Sequence, residues 1–164
     1  MIPALSLFLA ASLGCDSPWS ARYLSGRAVQ GFVELTQSGQ MRRIAVPWPV
    51  WTVQRGDVDR DGCDELILGV TKKNRFDSLA HRRLQVWRID RGHLRPGWLG
   101  TRLGGTLDTF ALDGAGRVVA RERTARGWLL ARWRWNTFGF QRDSILDTSF
   151  AKPRFPDLPR KALP

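Results

Sequence analysis

Short segments rich in β-branched and aromatic residues recur along this chain, separated by glycine, aspartate and asparagine, which favour turns. The segments are FVEL (32–35), WTVQ (51–54), ELILGV (65–70), LQVWRI (84–89), RVVA (117–120) and WLLARWRW (128–135). No stretch of comparable length has the apolar spacing of a helix. The sequence therefore predicts an all-β, antiparallel fold. With 164 residues, 43% of them apolar, we expect one domain of ordinary size with its own core.

One hairpin pattern occurs three times: two apolar residues, a polar one, an apolar one, a few polar residues, and then glycine, any residue and an apolar residue. The copies are FVELTQSGQM (32–41), VWRIDRGHL (86–94) and RWRWNTFGF (132–140). Their turn glycines are Gly39, Gly92 and Gly139, a spacing typical of four-stranded β units of about 40 to 50 residues. We interpret the chain as about three blade-like units of a partial β-propeller, which self-association could close. A small β-sandwich is the alternative.

The expected domain boundaries follow from composition. The β-repeat domain is predicted over residues 27–146, preceded by a signal-like segment (1–14) and a linker (15–26). Residues 147–164 include the proline-rich stretch KPRFPDLPRKALP, which is typical of an extended, disordered tail.

The N-terminus has the features of an export signal. An apolar run from Ala4 to Leu13 is followed by small residues and Cys15, and it is too short to span a bilayer as a mature helix. The segment resembles a bacterial lipoprotein signal, which implies lipidation of Cys15, membrane anchoring, export and a location in the cell envelope. No Lys or Arg precedes the run, and the alternatives are a misassigned start codon or a buried N-terminal segment.

Cys15 and Cys63 are the only cysteines, and no CxxC or Cys/His cluster indicates a zinc site. If Cys15 carries a lipid, Cys63 is a lone thiol. If Cys15 does not, an oxidising compartment could pair the two. The sequence leaves both possibilities open.

Negative charge is concentrated in DVDRDGCDE (57–65), within a chain that is otherwise strongly basic. The first three aspartates stand at positions 1, 3 and 5 of a D-x-D-x-D-G pattern, a spacing that turns their carboxylates toward one point as the chain curls round an ion. The predicted ligands are the side chains of Asp57, Asp59, Asp61 and Glu65 and the main-chain carbonyl of Cys63. Hard oxygen ligands suit Ca²⁺. Leu68 at position 12 excludes an EF-hand, and an Asx-rich turn without metal is the alternative.

This loop and the apolar strand after it resemble the calcium loops of FG-GAP and VCBS-type repeats, found in integrin-like β-propellers and many exported bacterial proteins. The resemblance implies a bound Ca²⁺ with a structural rather than catalytic role. The segments VTKKNRFD (70–77), WLGTRLGG (98–105) and WNTFGF (135–140) also resemble uncharacterised bacterial proteins that carry such repeats.

A second, degenerate copy of the loop follows in FALDGAGRVVA (110–120). Asp113 and Gly116 stand where the first loop has Asp59 and Gly62, but alanines replace the other two aspartates. We expect no ion at this second loop.

The charge balance indicates anionic partners, because 26 basic residues face 15 acidic ones and the net charge is +11. Candidate anion-binding residues are Lys72, Lys73 and Arg75 in one cluster, and Arg132 and Arg134 in the strand RWRW. The alternative for the second pair is that outward arginines keep the strand soluble. Binding of a polyanion, a nucleic acid or an acidic glycan, is therefore the alternative function, with nucleic acid the less favoured.

Enzyme motifs are absent from the sequence. His81 and His93 are the only histidines, and there is no G-x-S-x-G, H-E-x-x-H or P-loop lysine. We therefore expect no enzymatic activity. The favoured hypothesis is an exported, calcium-binding β-repeat module with an interaction or structural role and a protein or glycan partner.

Overall fold

The computed structural model describes residues 19–25, 31–75, 77–91, 93–100 and 102–158. These residues form eleven β-strands and no helix. The strands are β1 (Trp19–Ser25), β2 (Gly31–Gln37), β3 (Gln40–Val46), β4 (Val50–Gly56), β5 (Glu65–Asn74), β6 (Asp77–Asp90), β7 (His93–Trp98), β8 (Thr106–Leu112), β9 (Val118–Thr124), β10 (Gly127–Asn136) and β11 (Gly139–Ser149). The predicted all-β class is confirmed. Over the same residues there is no helix with the length and apolarity needed to cross a membrane.

The strands form three antiparallel sheets in which sequence neighbours pair. The first sheet contains β1 to β3, the second β4 to β7 and the third β8 to β11. Each of the six predicted segments coincides with a strand, except that Arg117 lies one residue before β9. The strand pairs are antiparallel, so that part of the prediction is confirmed. Within the described ranges the sheets close into neither a barrel nor a propeller, and the blade-like arrangement stays a prediction.

The second sheet is buried on both faces. Leu66, Leu68 and Val70 of β5 pack in one cluster with side chains of the first sheet. Ile67, between them in sequence, packs in a second cluster with Phe110 and other side chains of the third sheet. Successive residues of a strand point to opposite faces, so the sheets form a three-layer stack rather than a two-layer sandwich. Burying a side chain of this kind contributes about 1.5 to 3 kcal/mol.

Strand β4 joins both neighbouring sheets through consecutive side chains. Arg55 donates from Nη1 to the Trp19 carbonyl of β1 at 2.9 Å. Gln54 donates from Nε2 to the Phe110 carbonyl of β8 at 3.1 Å, and its Oε1 accepts from the Leu112 amide at 3.0 Å. The first strands of the three sheets therefore lie next to one another.

The three repeated hairpins occupy equivalent places, because they are the last two strands of each sheet: β2 with β3, β6 with β7 and β10 with β11. Gly39 and Gly139 have φ angles of 75° and 151°, which favour glycine. Gly92 lies outside the described residues. In β10, Leu129, Ala131 and Trp133 face the core, as their alternation predicts.

Two predicted boundaries differ from the structure. The segment 15–26, predicted as a linker, contains β1, which pairs along its whole length with β2. The segment 147–164, predicted as disordered, includes the end of β11 at Ser149 and a buried proline, Pro153. Proline cannot donate to a β-ladder, yet it can pack against a sheet face, which composition alone does not reveal. The signal-like segment 1–14 lies outside the described residues.

Candidate metal centre

The acidic loop connects β4 to β5, and it brings three carboxylates together. Oxygen atoms of Asp57, Asp59 and Asp61 all lie within 4.8 Å of one another. Asp57 and Asp59 are partly buried and Asp61 is exposed. The alternating spacing in the sequence thus produces the convergence that a cation site requires.

Backbone amides hold these carboxylates in place. The amide of Gly62 donates to Asp57 Oδ2 at 3.0 Å, and that of Cys63 donates to Asp61 Oδ1 at 2.8 Å. Gly62 adopts a φ of 90°, which permits the tight turn. The other Asp57 oxygen, Oδ1, is buried and has no hydrogen-bond partner. A buried acceptor of this kind is costly unless it is satisfied, and a cation would satisfy it.

Glu65 is fully buried at the start of β5 and lies outside the aspartate group. Its Oε2 accepts from the Val58 amide at 2.9 Å. Burial raises the pKa of this carboxyl to about 8, and the negative charges of the three aspartates add to the effect. The raised pKa means that direct binding of a metal ion by this carboxyl would be coupled to the loss of a proton. Its role as a ligand stays a prediction.

Cys63 is disulfide-bonded, so it is not a lone thiol. The chain has one other cysteine, Cys15, which lies outside the described residues. Lipidation of Cys15 stays a prediction, and it is chemically exclusive of a disulfide through the same sulfur.

An arginine that sequence analysis did not single out reaches the site. Arg88 of β6 donates from Nη2 to Asp59 Oδ2 in an ion pair. The Asp59 side chain is 7% exposed and that of Arg88 51% exposed. Because Leu66 pairs with Trp87, the register of the β5–β6 hairpin places Arg88 next to the start of β5. That register was the signal from which Arg88 could have been found.

In the degenerate second loop, arginine balances the remaining aspartate. Asp113 Oδ1 accepts from the amides of Ala115 and Arg117, both at 3.0 Å, and Oδ2 accepts from Arg117 Nε at 2.9 Å. Burial alone would raise the Asp113 pKa, but these hydrogen bonds and the Arg117 charge hold it below its usual value. Arg132, a candidate anion-binding residue, lies with its Nε 3.6 Å from the same carboxylate.

The two loops are in contact. Gly116 has a φ of 72°, and a Cβ added there would lie 2.0 Å from the backbone oxygen of Asp57. Val58, within the acidic loop, is 2% exposed and packs with Leu112 and Val118 of the third sheet. The conformation of the acidic loop is therefore coupled to the interface between the second and third sheets.

The predicted basic cluster lies on a projecting ribbon. β4 pairs with β5 up to Val70, and β7 pairs with β6 only from Val86 onward. Val70 pairs with Arg83, so residues 71–75 and 77–82 extend past the sheet as a two-stranded ribbon, which we call the basic ribbon. It carries Lys72, Lys73, Arg75, His81 and Arg82.

Two cations of the basic ribbon pack on tryptophan rings. Lys72 Nζ lies 4.4 Å from the centre of the Trp48 ring, and the Arg82 guanidinium lies 4.9 Å from that of Trp51. Burial and then the charge of Arg83 lower the pKa of Lys72. Arg134, by contrast, is on β10 of the third sheet and bonds Gln141 at 3.3 Å. The two predicted anion-binding clusters therefore lie on different sheets.

Comparison with known proteins gives no match, whether to a protein family, a curated protein or a solved structure. Function must therefore be inferred from the acidic loop and from the charged surface. Of the two, the loop is the more specific, because its carboxylates are oriented by the backbone.

Proposed function

We propose that this chain is a calcium-binding β-repeat module of the FG-GAP/VCBS type, with a structural or interaction role in an exported protein. The observation that carries the proposal is the group of three aspartates within 4.8 Å, together with the buried and unpaired Oδ1 of Asp57. Three carboxylates and a main-chain carbonyl are hard ligands of the kind that Ca²⁺ prefers.

The position of the loop supports a structural role. Three carboxylates this close repel one another unless a cation neutralises them, and Arg88 supplies only one positive charge to Asp59. A bound Ca²⁺ would remove the remaining repulsion and fix the loop backbone that contacts Gly116. The ion would thereby brace the second sheet against the third. Three consecutive antiparallel sheets with adjacent first strands also support the proposed blade arrangement.

Calcium is expected to raise the thermal midpoint of the full chain, relative to the same protein in excess EDTA. At a free concentration one hundred times Kd, the stabilisation is about 2.7 kcal/mol, which corresponds to a rise of about 5 to 11 °C for a domain of this size. In Asp61→Asn the rise should be largely lost, although the new side-chain oxygen can still accept the hydrogen bond from the Cys63 amide. Differential scanning fluorimetry measures both.

The matched control is Asp147→Asn, which removes an exposed carboxylate on β11 and should leave the calcium response intact. Arg88→Gln should increase the rise in thermal midpoint that calcium causes, relative to the natural chain, because it removes the cation that competes for Asp59. An equal calcium response in Asp61→Asn and Asp147→Asn would reject the site.

A second function is favoured by the basic ribbon: binding of an acidic glycan. Lys73 and Arg75 are exposed near its tip, where a linear polyanion could reach both side chains. The net charge of +11 adds long-range attraction.

Replacing both Lys73 and Arg75 by glutamate should lower the salt concentration at which the chain elutes from immobilised heparin. The control is the double variant Arg126→Glu with Arg154→Glu, which makes the same charge change at exposed positions outside the ribbon. Equal shifts in the two variants would show a non-specific charge effect and contradict a ribbon site. Tighter binding to duplex DNA than to heparin at equal salt would favour nucleic acid over an acidic glycan as the ligand.

A further inference from the structure

The outer face of the third sheet, which points away from the second sheet, carries buried apolar side chains. Val118 and Ala120 of β9 face the inner core, so Val119 points to the outer face. Its register partners Ala111 of β8 and Arg132 of β10 share that face. Ala111, Val119 and Leu130 are at most 7% exposed. A sheet face with solvent beyond it would leave such side chains accessible.

The C-terminal segment crosses this outer face. The Pro153 carbonyl accepts from Arg121 Nη1 at 2.7 Å, and Lys152 Nζ donates to Asp108 Oδ1 at 3.0 Å. Lys152 Nζ also lies 5.2 Å from the centre of the Trp128 ring. Asp108, Arg121 and Trp128 belong to β8, β9 and β10, so residues 151–155 span three strands. Pro153 is itself buried.

Much of this segment is exposed, although Phe155 also contacts the sheet, with the Arg121 guanidinium 5.7 Å from its ring centre. Both Arg154 and Asp157 have side chains at least 90% exposed, and Phe150 is 92% exposed. The Lys152 side chain is 49% exposed. No strand pairing holds residues 151–158. A segment with such limited burial can be displaced more easily than a strand of the sheet.

We propose that residues 150–158 are an intramolecular cap on a sheet-docking surface, and that the natural occupant of the uncapped surface is the first sheet of a second copy of this chain. The two interfaces inside the molecule are already of this kind, since the second sheet packs one sheet on each face. Head-to-tail docking would repeat the same stacking across two chains, and two copies that use both ends at once would close as a two-fold dimer.

The outer face of the first sheet suits this role. Val33 and Leu35 of β2 face the internal core, so Phe32 points outward, next to its register partner Ala45. Phe32 is 38% exposed, and Met41 on neighbouring β3 is 61% exposed. The ion pair of Arg43 with Glu34 lies between them on the same face. Each end of the stack therefore presents apolar groups beside paired charges.

The test is the oligomeric state of Lys152→Glu in the full-length chain. This change places a carboxylate against Asp108 and removes the cation over Trp128, so the cap should detach. By size-exclusion chromatography with light scattering, we expect the natural chain to have the mass of one copy. Lys152→Glu should dimerise at least tenfold more tightly. The control is Arg154→Glu, which makes the same charge change on the cap but at a side chain 90% exposed, and it should remain a single copy.

A chain that ends at Ser149 should dimerise as well, and a synthetic peptide of residues 150–164 should return it to single copies. If that chain loses its β signal in circular dichroism, Lys152→Glu decides alone. Phe32→Lys added to Lys152→Glu should abolish the dimer, and persistence of the dimer would overturn the assignment to the first sheet. Lys152→Glu with the mass of one copy and native β content would overturn the cap. None of these outcomes depends on calcium, so they are independent of the proposed metal site.

Discussion

Replacing Gly116 by alanine is expected to destabilise the chain by about 3 kcal/mol or more. The new methyl group would lie 2.0 Å from the Asp57 backbone oxygen, and the φ of 72° disfavours any residue with a Cβ. A left-handed conformation costs about 1 to 2 kcal/mol, and overpacking at a contact that cannot yield adds about 1 to 3 kcal/mol. Because Asp57 belongs to the acidic loop, the same change should also weaken the proposed binding of calcium. Urea unfolding and calorimetric titration measure the two effects.

Substitutions at two other glycines separate the conformational cost from the cost of the close contact. Gly114 lies in the same loop with nothing within 4 Å of an added Cβ, so Gly114→Ala should be nearly neutral. Gly39 has a φ of 75° and the same open surroundings, so Gly39→Ala should show the conformational cost alone, about 1 to 2 kcal/mol. A Gly116→Ala variant no less stable than Gly39→Ala would show that the two loops are not in contact.

Local patterns in the sequence predicted the strands and the aspartate group well. Alternation along β10 separates core residues such as Trp133 from outward ones such as Arg132, because a strand turns successive side chains to opposite faces. The convergence of Asp57, Asp59 and Asp61 likewise follows from a turn that spans only a few residues. Features of this kind depend on neighbours in sequence, which is why a single chain reveals them.

Contacts between segments that are distant in sequence were not predictable in the same way. Gly116 meets Asp57 across 59 positions of the chain, and its glycine could equally have served an ordinary turn. The ion pair of Arg88 with Asp59 depends on the register of a hairpin, which the residue pattern alone does not determine. Proline content suggested a disordered tail, whereas Pro153 is buried against the third sheet. Its bond to Arg121 uses the backbone carbonyl, a group that every residue has. Composition does not carry information about such partners.

Replacing Gln54 by methionine is expected to cost about 3 kcal/mol and to weaken the joint between the second and third sheets. Methionine keeps the shape of glutamine but loses both bonds to β8, the one to the Phe110 carbonyl and the one from the Leu112 amide. Each buried backbone group left without a partner costs about 1 to 3 kcal/mol. In hydrogen exchange, the amide of Leu112 should lose protection, because its acceptor is the side-chain oxygen Oε1 of Gln54.

The control for this joint is Gln141→Met, which removes an exposed amide with bonds of 3.3 and 3.4 Å and should change stability by less than about 0.5 kcal/mol. β8 is the edge strand of its sheet, so Gln54 satisfies the backbone groups that a further strand would otherwise bond. If Gln54→Met unfolds with an unchanged m-value, the sheets still unfold as one unit. A lower m-value would mean that the third sheet then separates first. Equal stability of the two variants would contradict a role for Gln54 in joining the sheets.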